Sequence, residues 1–159
     1  MKRTITAIIA VVALYACGNQ NGSAPAATAT ASETPAAEAS ANPSYDPNRG
    51  EGKYKDFEVP AALDGALAGK GDKVYGVKCS SCHKTTDEKL VGPGWHGVTS
   101  RYSAAWIMNF ITNTDEMLTK DPKAQAQLEI CLVRMPNQNL SDDEARSLYE
   151  FMRKNDGVK

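Results

Sequence analysis

A long stretch near the N-terminus has almost nothing from which to build a hydrophobic core. Residues 18–53 contain no Ile, Leu, Val, Phe, Met or Trp, and nine of the 18 residues from Ala24 to Ala41 are alanine. Four prolines interrupt any helix that the alanines would favour: Pro25, Pro35, Pro43 and Pro47. Burial cannot offset the entropy of ordering such a segment, so the sequence predicts a disordered tether over residues 17–53. Of the 159 residues, only those from about 54 to 159 are then left to form a folded domain.

The first residues have the pattern of an export signal. Lys2 and Arg3 precede an apolar run of 12 residues, 5–16, which suits a signal peptide and is shorter than the roughly 20 residues that span a bilayer. The stretch from Leu14 to Cys17 resembles a bacterial lipobox, in which the cysteine is acylated and becomes the first mature residue. We therefore expect a signal peptide at 1–16 and a lipid anchor at Cys17. The alternative is an ordinary cleaved signal followed by an incidental cysteine.

Apolar residues in the remaining segment recur at helical spacing, and no stretch alternates as a β-strand would. The pattern predicts an all-α domain of about four helices joined by long loops. The first helix spans 64–78, the second follows an N-cap at Ser103, the third runs from Pro122 to about Leu132, and the last follows the capping box at Ser141 and ends near Asn155.

The sequence Cys79-Ser80-Ser81-Cys82-His83 contains the residues with the clearest chemistry. Two thiols at this spacing can reach neighbouring vinyl groups on one porphyrin edge, and the adjacent imidazole then points at the iron. The pattern is the attachment signature of c-type haem. Redox motifs and zinc sites share the spacing, but no thioredoxin-like βαβ pattern surrounds it and only His96 and Cys131 remain as further ligands. Export also favours haem, because haem is attached covalently outside the cytoplasm.

The surroundings of this motif resemble a class I c-type cytochrome with one haem. The resemblance covers about residues 64–155 and includes a Gly71–Tyr75 segment before the motif, Gly92-Pro93 after it, Met135-Pro136, and a capped last helix. It implies a cytochrome c fold around one covalently bound haem c.

The same resemblance implies particular contacts. The first and last helices should cross near Gly71 and Tyr75, opposite Leu148 and Tyr149. The loop at Pro93 should pack against His83, with a loop carbonyl accepting a hydrogen bond from the second ring nitrogen.

The sixth ligand of the iron is expected to be Met135. Pro136 disfavours helix at this residue and keeps the loop open, and the resemblance puts the distal methionine here. His96 is the main rival, and an open iron is the remaining alternative. The other methionines fit less well, since Met1 is removed with the signal, Met108 and Met152 lie on predicted helices and Met117 lies at a helix end.

Several further residues are predicted around the haem. Pro93, Trp95, Arg101 and Trp106 are expected in the haem pocket, where Trp95, Arg101, Trp106 and Tyr102 are candidates to donate hydrogen bonds to the propionates. Cys131 is expected to be a buried small apolar residue, with an intermolecular disulfide or a redox role as the alternatives.

These features together predict an electron carrier and not an enzyme. The expected protein is a monomeric, lipid-anchored periplasmic cytochrome that takes electrons from a quinol-oxidising complex and passes them to a terminal oxidase or reductase, because Met/His ligation raises the potential above that of bis-His. The alternatives are a haem-based sensor or small catalytic haem protein with a labile sixth ligand, and a structural zinc lipoprotein. A formal net charge of −1 lacks the basic surplus that nucleic-acid binding needs.

Overall fold

A computed structural model describes residues 44–159, which contain six α-helices and no β-strand. The helices are α1 (Gly65–Lys78), α2 (Val98–Arg101), α3 (Ala104–Thr112), α4 (Thr114–Lys120), α5 (Pro122–Cys131) and α6 (Asp142–Asn155). Four of them are the predicted helices, and the short helices α2 and α4 were not predicted. The predicted signal peptide, Cys17 and most of the predicted tether lie outside the described residues.

Side-chain caps fix where the four predicted helices begin. The side chains of Asp64, Ser103 and Asp121 each accept a hydrogen bond from the backbone N–H three residues further on. Ser141 and Glu144 form the predicted capping box, with each side chain bonded to the backbone N–H of the other residue. Each cap satisfies a backbone donor that the helix cannot, which contributes about 1 kcal/mol to stability.

The helices α1 and α6 cross at Gly71, as predicted. A Cβ atom at this position would lie 2.0 Å from the carbonyl oxygen of Ser147, so only glycine allows this approach. One turn later, the rings of Tyr75 and Phe151 lie 5.1 Å apart. The atoms nearest to Gly71 belong to Ser147 and Phe151, which flank the predicted pair Leu148 and Tyr149 in α6.

Leu148 and Tyr149, which were predicted at this crossing, are both buried in the core, at 1% and 5% exposure. The ring of Tyr149 packs edge-on against Phe57, 6.1 Å away. Helix α6 therefore meets α1 through Ser147 and Phe151 and packs Tyr149 against Phe57.

Residues 44–54, here called the N-terminal arm, pack against the helices. The buried side chain of Asn109 donates to the carbonyl oxygens of Arg49 and Tyr54 at 2.8 and 2.9 Å and accepts from the N–H of Tyr54 at 2.9 Å. Gly50 has φ of +63°, and a Cβ there would lie 2.6 Å from the sulfur of Met117. Residues 44–53, which were predicted as the end of the tether, are therefore held against the helices. Polar groups of the helices hold the arm. Its order could not be predicted from its apolar content, because the contacts that hold it are hydrogen bonds.

A buried charge cluster fastens the segment before α1 to α6. Glu150 is fully buried and forms ion pairs with Arg153 at 2.8 Å and Arg146 at 2.6 Å. Arg153 also donates to the carbonyl oxygens of Pro60 and Ala61 at 2.7 and 2.8 Å. Removing one partner of such a pair would leave a buried charge without compensation.

No helix within residues 44–159 is both long enough and apolar enough to cross a membrane.

The close contact at Gly71 gives a direct test of the helix crossing. We expect Gly71→Ala to lower the free energy of unfolding by about 2 kcal/mol or more, because the added methyl group would overlap the backbone of α6. Gly69→Ala is the matched control, since a Cβ at Gly69 meets nothing within 4 Å. That variant should gain about 0.5–1 kcal/mol from its better helix propensity. Denaturant unfolding of both variants measures the difference, and equal effects would contradict the crossing described here.

Candidate functional site

A cavity of about 420 Å³ opens where α1, α3, α5 and α6 and two loops meet. The motif residues Cys79, Cys82 and His83 all line it, and so does Met135 from the loop between α5 and α6. Most of the other lining side chains are aliphatic or aromatic; those of α3 are Trp106, Ile107, Phe110 and Ile111. A largely apolar wall with a few convergent polar groups is typical of a cofactor site.

The end of α1 positions the motif. Cys79 is the C-cap of α1, and its carbonyl oxygen accepts hydrogen bonds from the N–H groups of Cys82 at 3.0 Å and His83 at 2.9 Å. This tight turn directs both thiols and the imidazole into one cavity. Burial raises the pKa of the Cys79 thiol to about 11, so it is protonated at neutral pH, while Cys82 is only half-buried.

A hydrogen bond at Nδ1 fixes the imidazole of His83. Its Nδ1 atom lies 2.9 Å from the carbonyl oxygen of Pro93, which can only accept, so Nδ1 donates and Nε2 remains free to bind a metal. This is the predicted hydrogen bond to the loop. Burial lowers the pKa of His83, and the hydrogen bond to Pro93 opposes that shift in part. The ring is therefore held neutral, the form that binds a metal.

Backbone and aromatic groups close around the same ring. A Cβ on Gly92 would lie 2.3 Å from Cε1 of His83, so the loop can run against the imidazole only with glycine at this position. The ring of Trp95 lies 5.4 Å away on another side, and the hydroxyl of Tyr75 donates to the carbonyl oxygen of His83 at 2.7 Å. The resemblance implied that the loop at Pro93 packs against His83, but the hydrogen bond from Tyr75 was not predicted.

The candidate ligands, which are the methionines and His96, differ in whether they line the cavity. Met135 and Met152 line it, whereas the buried Met108 and Met117 do not. Met117 lies inside α4 and not at a helix end as predicted, and its sulfur accepts a hydrogen bond from the N–H of Glu51 at 3.0 Å. His96 is exposed, lies outside the cavity lining and bonds Asp87 at 3.0 Å. The arrangement favours Met135 over His96 as a ligand facing His83.

The four predicted pocket residues Pro93, Trp95, Arg101 and Trp106 all line the cavity. The guanidinium of Arg101 donates to the carbonyl oxygens of His96 at 2.5 Å and Gly94 at 3.2 Å, which fixes it at the cavity wall.

The indole N–H of Trp106 is used elsewhere. It donates to Asp121 at 2.9 Å, so among the four candidate propionate donors the geometry favours Trp95, Arg101 and Tyr102 over Trp106. The ring of Tyr102 stacks on Trp106 at a centroid distance of 4.2 Å. Asp121 was missed as a pocket neighbour, although its place before Pro122 marked it as an N-cap.

Cys131 lies at the end of α5 and also lines the cavity. It is a free thiol and half-buried, not buried as expected. The residue after it, Leu132, has φ of +60° and is 85% exposed, which turns the chain out of the helix and leaves Cys131 near the surface.

The residues around the cavity fit a covalently bound haem. Two thiols on one edge, a neutral imidazole with Nε2 free and a thioether from another loop supply the donor set that such a group requires. Within residues 44–159, no three or more His, Cys, Asp or Glu side chains cluster as they would around a metal ion. The zinc alternative therefore has no ligand set in this part of the chain.

Comparisons with known proteins agree with this fit. A family model described as cytochrome c matches residues 68–156. A solved cytochrome c from Rhodothermus marinus has 28% sequence identity and a TM-score of 0.63, over 66% of this chain and 90% of that one. An engineered cytochrome c from the same organism, Rma TDE, has the same identity, coverage and TM-score. Rma TDE bound to a carbene intermediate is similar with a TM-score of 0.60. No curated protein sequence matches significantly.

Proposed function

The chain belongs to the cytochrome c family, and from that premise we propose that it is a membrane-tethered periplasmic electron carrier with a single low-spin haem. Members of this family bind haem c covalently and act in electron transfer, and the helical fold described above is theirs. When bound, the haem supplies an iron that gains and loses one electron.

The observation that supports this function is the convergence of four side chains on one cavity. We assign the covalent attachment to Cys79 and Cys82, the proximal ligand to Nε2 of His83 and the distal ligand to the sulfur of Met135. The hydrogen bond from His83 to Pro93 fixes the orientation of the imidazole and makes Nε2 a stronger electron donor to a bound metal. A methionine sulfur opposite a histidine raises the reduction potential, which suits a carrier that delivers electrons to an oxidant.

The motif side of the cavity is open to a redox partner. Cys82 is half-buried, and the neighbouring lining residues Val77 and Val91 are 86% and 39% exposed. A donor or acceptor can approach this edge with a small, short-lived interface of the kind that electron-transfer proteins use. We propose a quinol-oxidising complex as the donor and a terminal oxidase or reductase as the acceptor.

The tether and its anchor complete the proposal. The apolar run before Cys17 and the polar residues after it support cleavage and lipid attachment at this cysteine. Residues 18–43 would then connect the lipid to the folded domain with an r.m.s. span of roughly 30 Å. A carrier on such a tether stays near membrane-bound partners while turning freely to meet them.

A haem sensor or small catalytic haem protein is the second candidate. Met135 lies in a loop and is only half-buried, so a ligand from solution has a route to displace it. The carbene-bound form of the engineered Rhodothermus marinus protein makes a non-carrier chemistry worth testing here.

Substitution of the distal ligand separates the two candidates. We expect Met135→Ala to lose the Met-ligated low-spin spectrum, to lower the reduction potential and to bind carbon monoxide readily in the reduced state. Met152→Leu is the matched control, because Met152 lines the same cavity from α6 and should not ligate the iron. An unchanged spectrum and potential in Met135→Ala would exclude Met135 as the ligand. Carbon monoxide binding by the unaltered protein as readily as by Met135→Ala would favour the sensor or catalytic candidate.

Replacement of the anchor cysteine tests the tether. We expect Cys17→Ser to move the protein from the membrane fraction to the soluble periplasmic fraction with its haem spectrum unchanged. Cys131→Ser, the control for loss of a cysteine, should stay with the membrane. Fractionation followed by haem staining measures both, and a Cys17→Ser protein that remains in the membrane fraction would contradict lipid anchoring at this residue.

A further inference from the structure

Asp121 is a fully buried carboxylate at the junction of α4 and α5. Its Oδ1 atom accepts a hydrogen bond from the N–H of Ala124 at 2.8 Å. Its Oδ2 atom accepts from the indole N–H of Trp106 at 2.9 Å and from the hydroxyl of Tyr45 at 2.5 Å. One side chain thus joins the N-terminal arm, a wall of the haem cavity and the first turn of α5.

These contacts describe an ionised carboxylate. An indole N–H and a backbone N–H can only donate, so both oxygens must accept. Burial raises the pKa of Tyr45, and the hydrogen bond to Asp121 raises it further, so the phenol keeps its proton and donates it. The N-terminus of α5 also favours a negative charge at this position.

The charge of Asp121 has no cationic partner within the described part of the chain. Within residues 44–159, none of the ion pairs includes this side chain. The nearest lysines in sequence are used otherwise, since Lys120 pairs with Glu116 at 2.5 Å and Lys123 donates to the carbonyl oxygen of Pro47 at 2.7 Å. Hydrogen bonds stabilise this buried charge without cancelling it.

Trp106 connects that charge to the cavity. Its ring lines the cavity and is 4% exposed, stacked between Tyr102 at 4.2 Å and Phe110 at 5.1 Å. Asp121 therefore lies one aromatic side chain behind the cavity wall, and both side chains are buried from solvent. A charge in such surroundings is screened far less than a surface charge at the same distance.

We propose that Asp121 is a positioning residue that, through Trp106, lowers the reduction potential of the bound haem c by favouring the oxidised state. The inference rests on the proposed electron-carrier function. The reaction concerned is the transfer of one electron from a reduced partner protein to the oxidised cytochrome, with no proton gained or lost at Asp121. The negative charge attracts the more positive oxidised centre, so it opposes the arrival of the electron.

Neutralising this side chain is the test. We expect Asp121→Asn to raise the potential, with the electron affinity of the oxidised protein increasing several-fold; a tenfold change corresponds to 59 mV for one electron. Asparagine is also a good N-cap, so α5 should be retained. The control Glu116→Gln removes an exposed charge from α4 and should change the affinity less than twofold. An Asp121→Asn potential equal to that of the unaltered protein would overturn the proposal.

Tyr45→Phe separates the charge from its structural role. This variant releases the N-terminal arm from Asp121 but leaves the carboxylate charged and with one donor fewer. If the charge sets the potential, Tyr45→Phe leaves the potential unchanged or lowers it. A rise in both variants would show that Asp121 acts only by holding the arm, which contradicts the proposal.

Infrared spectroscopy of the unaltered protein provides a measurement that does not depend on a variant folding. With ¹³C-labelled aspartate, the difference spectrum between redox states should contain a shifted aspartate carboxylate band. A protonated carboxyl band, or no aspartate band at all, would overturn the proposal. The haem spectrum of the same sample tests the electron-carrier function separately, because a failure of Asp121 to respond leaves that spectrum unchanged.

Discussion

The hydrogen bond between His83 and the carbonyl of Pro93 is the contact on which the site depends. It fixes the tautomer of the imidazole, so the nitrogen that faces the cavity is the one able to bind iron. The contact exists because the loop backbone runs directly against the ring at Gly92, where any side chain would overlap it. Burial of the ring, which lowers its pKa, keeps it neutral, and the loop carbonyl supplies the acceptor that a buried N–H requires.

The crossing of α1 and α6 positions the motif that contains His83. Gly71 lets α1 approach the backbone of α6, and about two turns later α1 ends in the motif whose thiols and imidazole enter the cavity. Tyr75 belongs to both parts, since its ring meets Phe151 of α6 and its hydroxyl binds the carbonyl of His83. The helix crossing and the cofactor site therefore share residues and position one another. The N-terminal arm adds a further layer over α3 and α5 through Asn109 and Asp121.

The sequence predicted the parts that depend on local signals. Apolar spacing after Asp64, caps at Ser103 and Ser141 and the proline that opens α5 predicted four helices, and the spacing of the motif predicted the attachment chemistry. The helices α2 and α4 were missed because they are short and have no side-chain cap. The order of the arm was missed because it depends on hydrogen bonds to Asn109 and Asp121, which lie more than 50 residues away. The contacts of Ser147 and Phe151 with α1 were not predicted, because an apolar stripe shows which side of a helix is buried and not which atoms meet at a crossing.

Near-infrared magnetic circular dichroism of the purified, oxidised protein tests the central claim most directly, because it identifies both axial ligands of haem iron. The arrangement of His83 and Met135 across one cavity predicts a low-spin spectrum with the signature of histidine and methionine ligation. A bis-histidine signature would require His96, which lies exposed outside the cavity lining, and a high-spin spectrum would require an open iron. Either result would contradict the site described here.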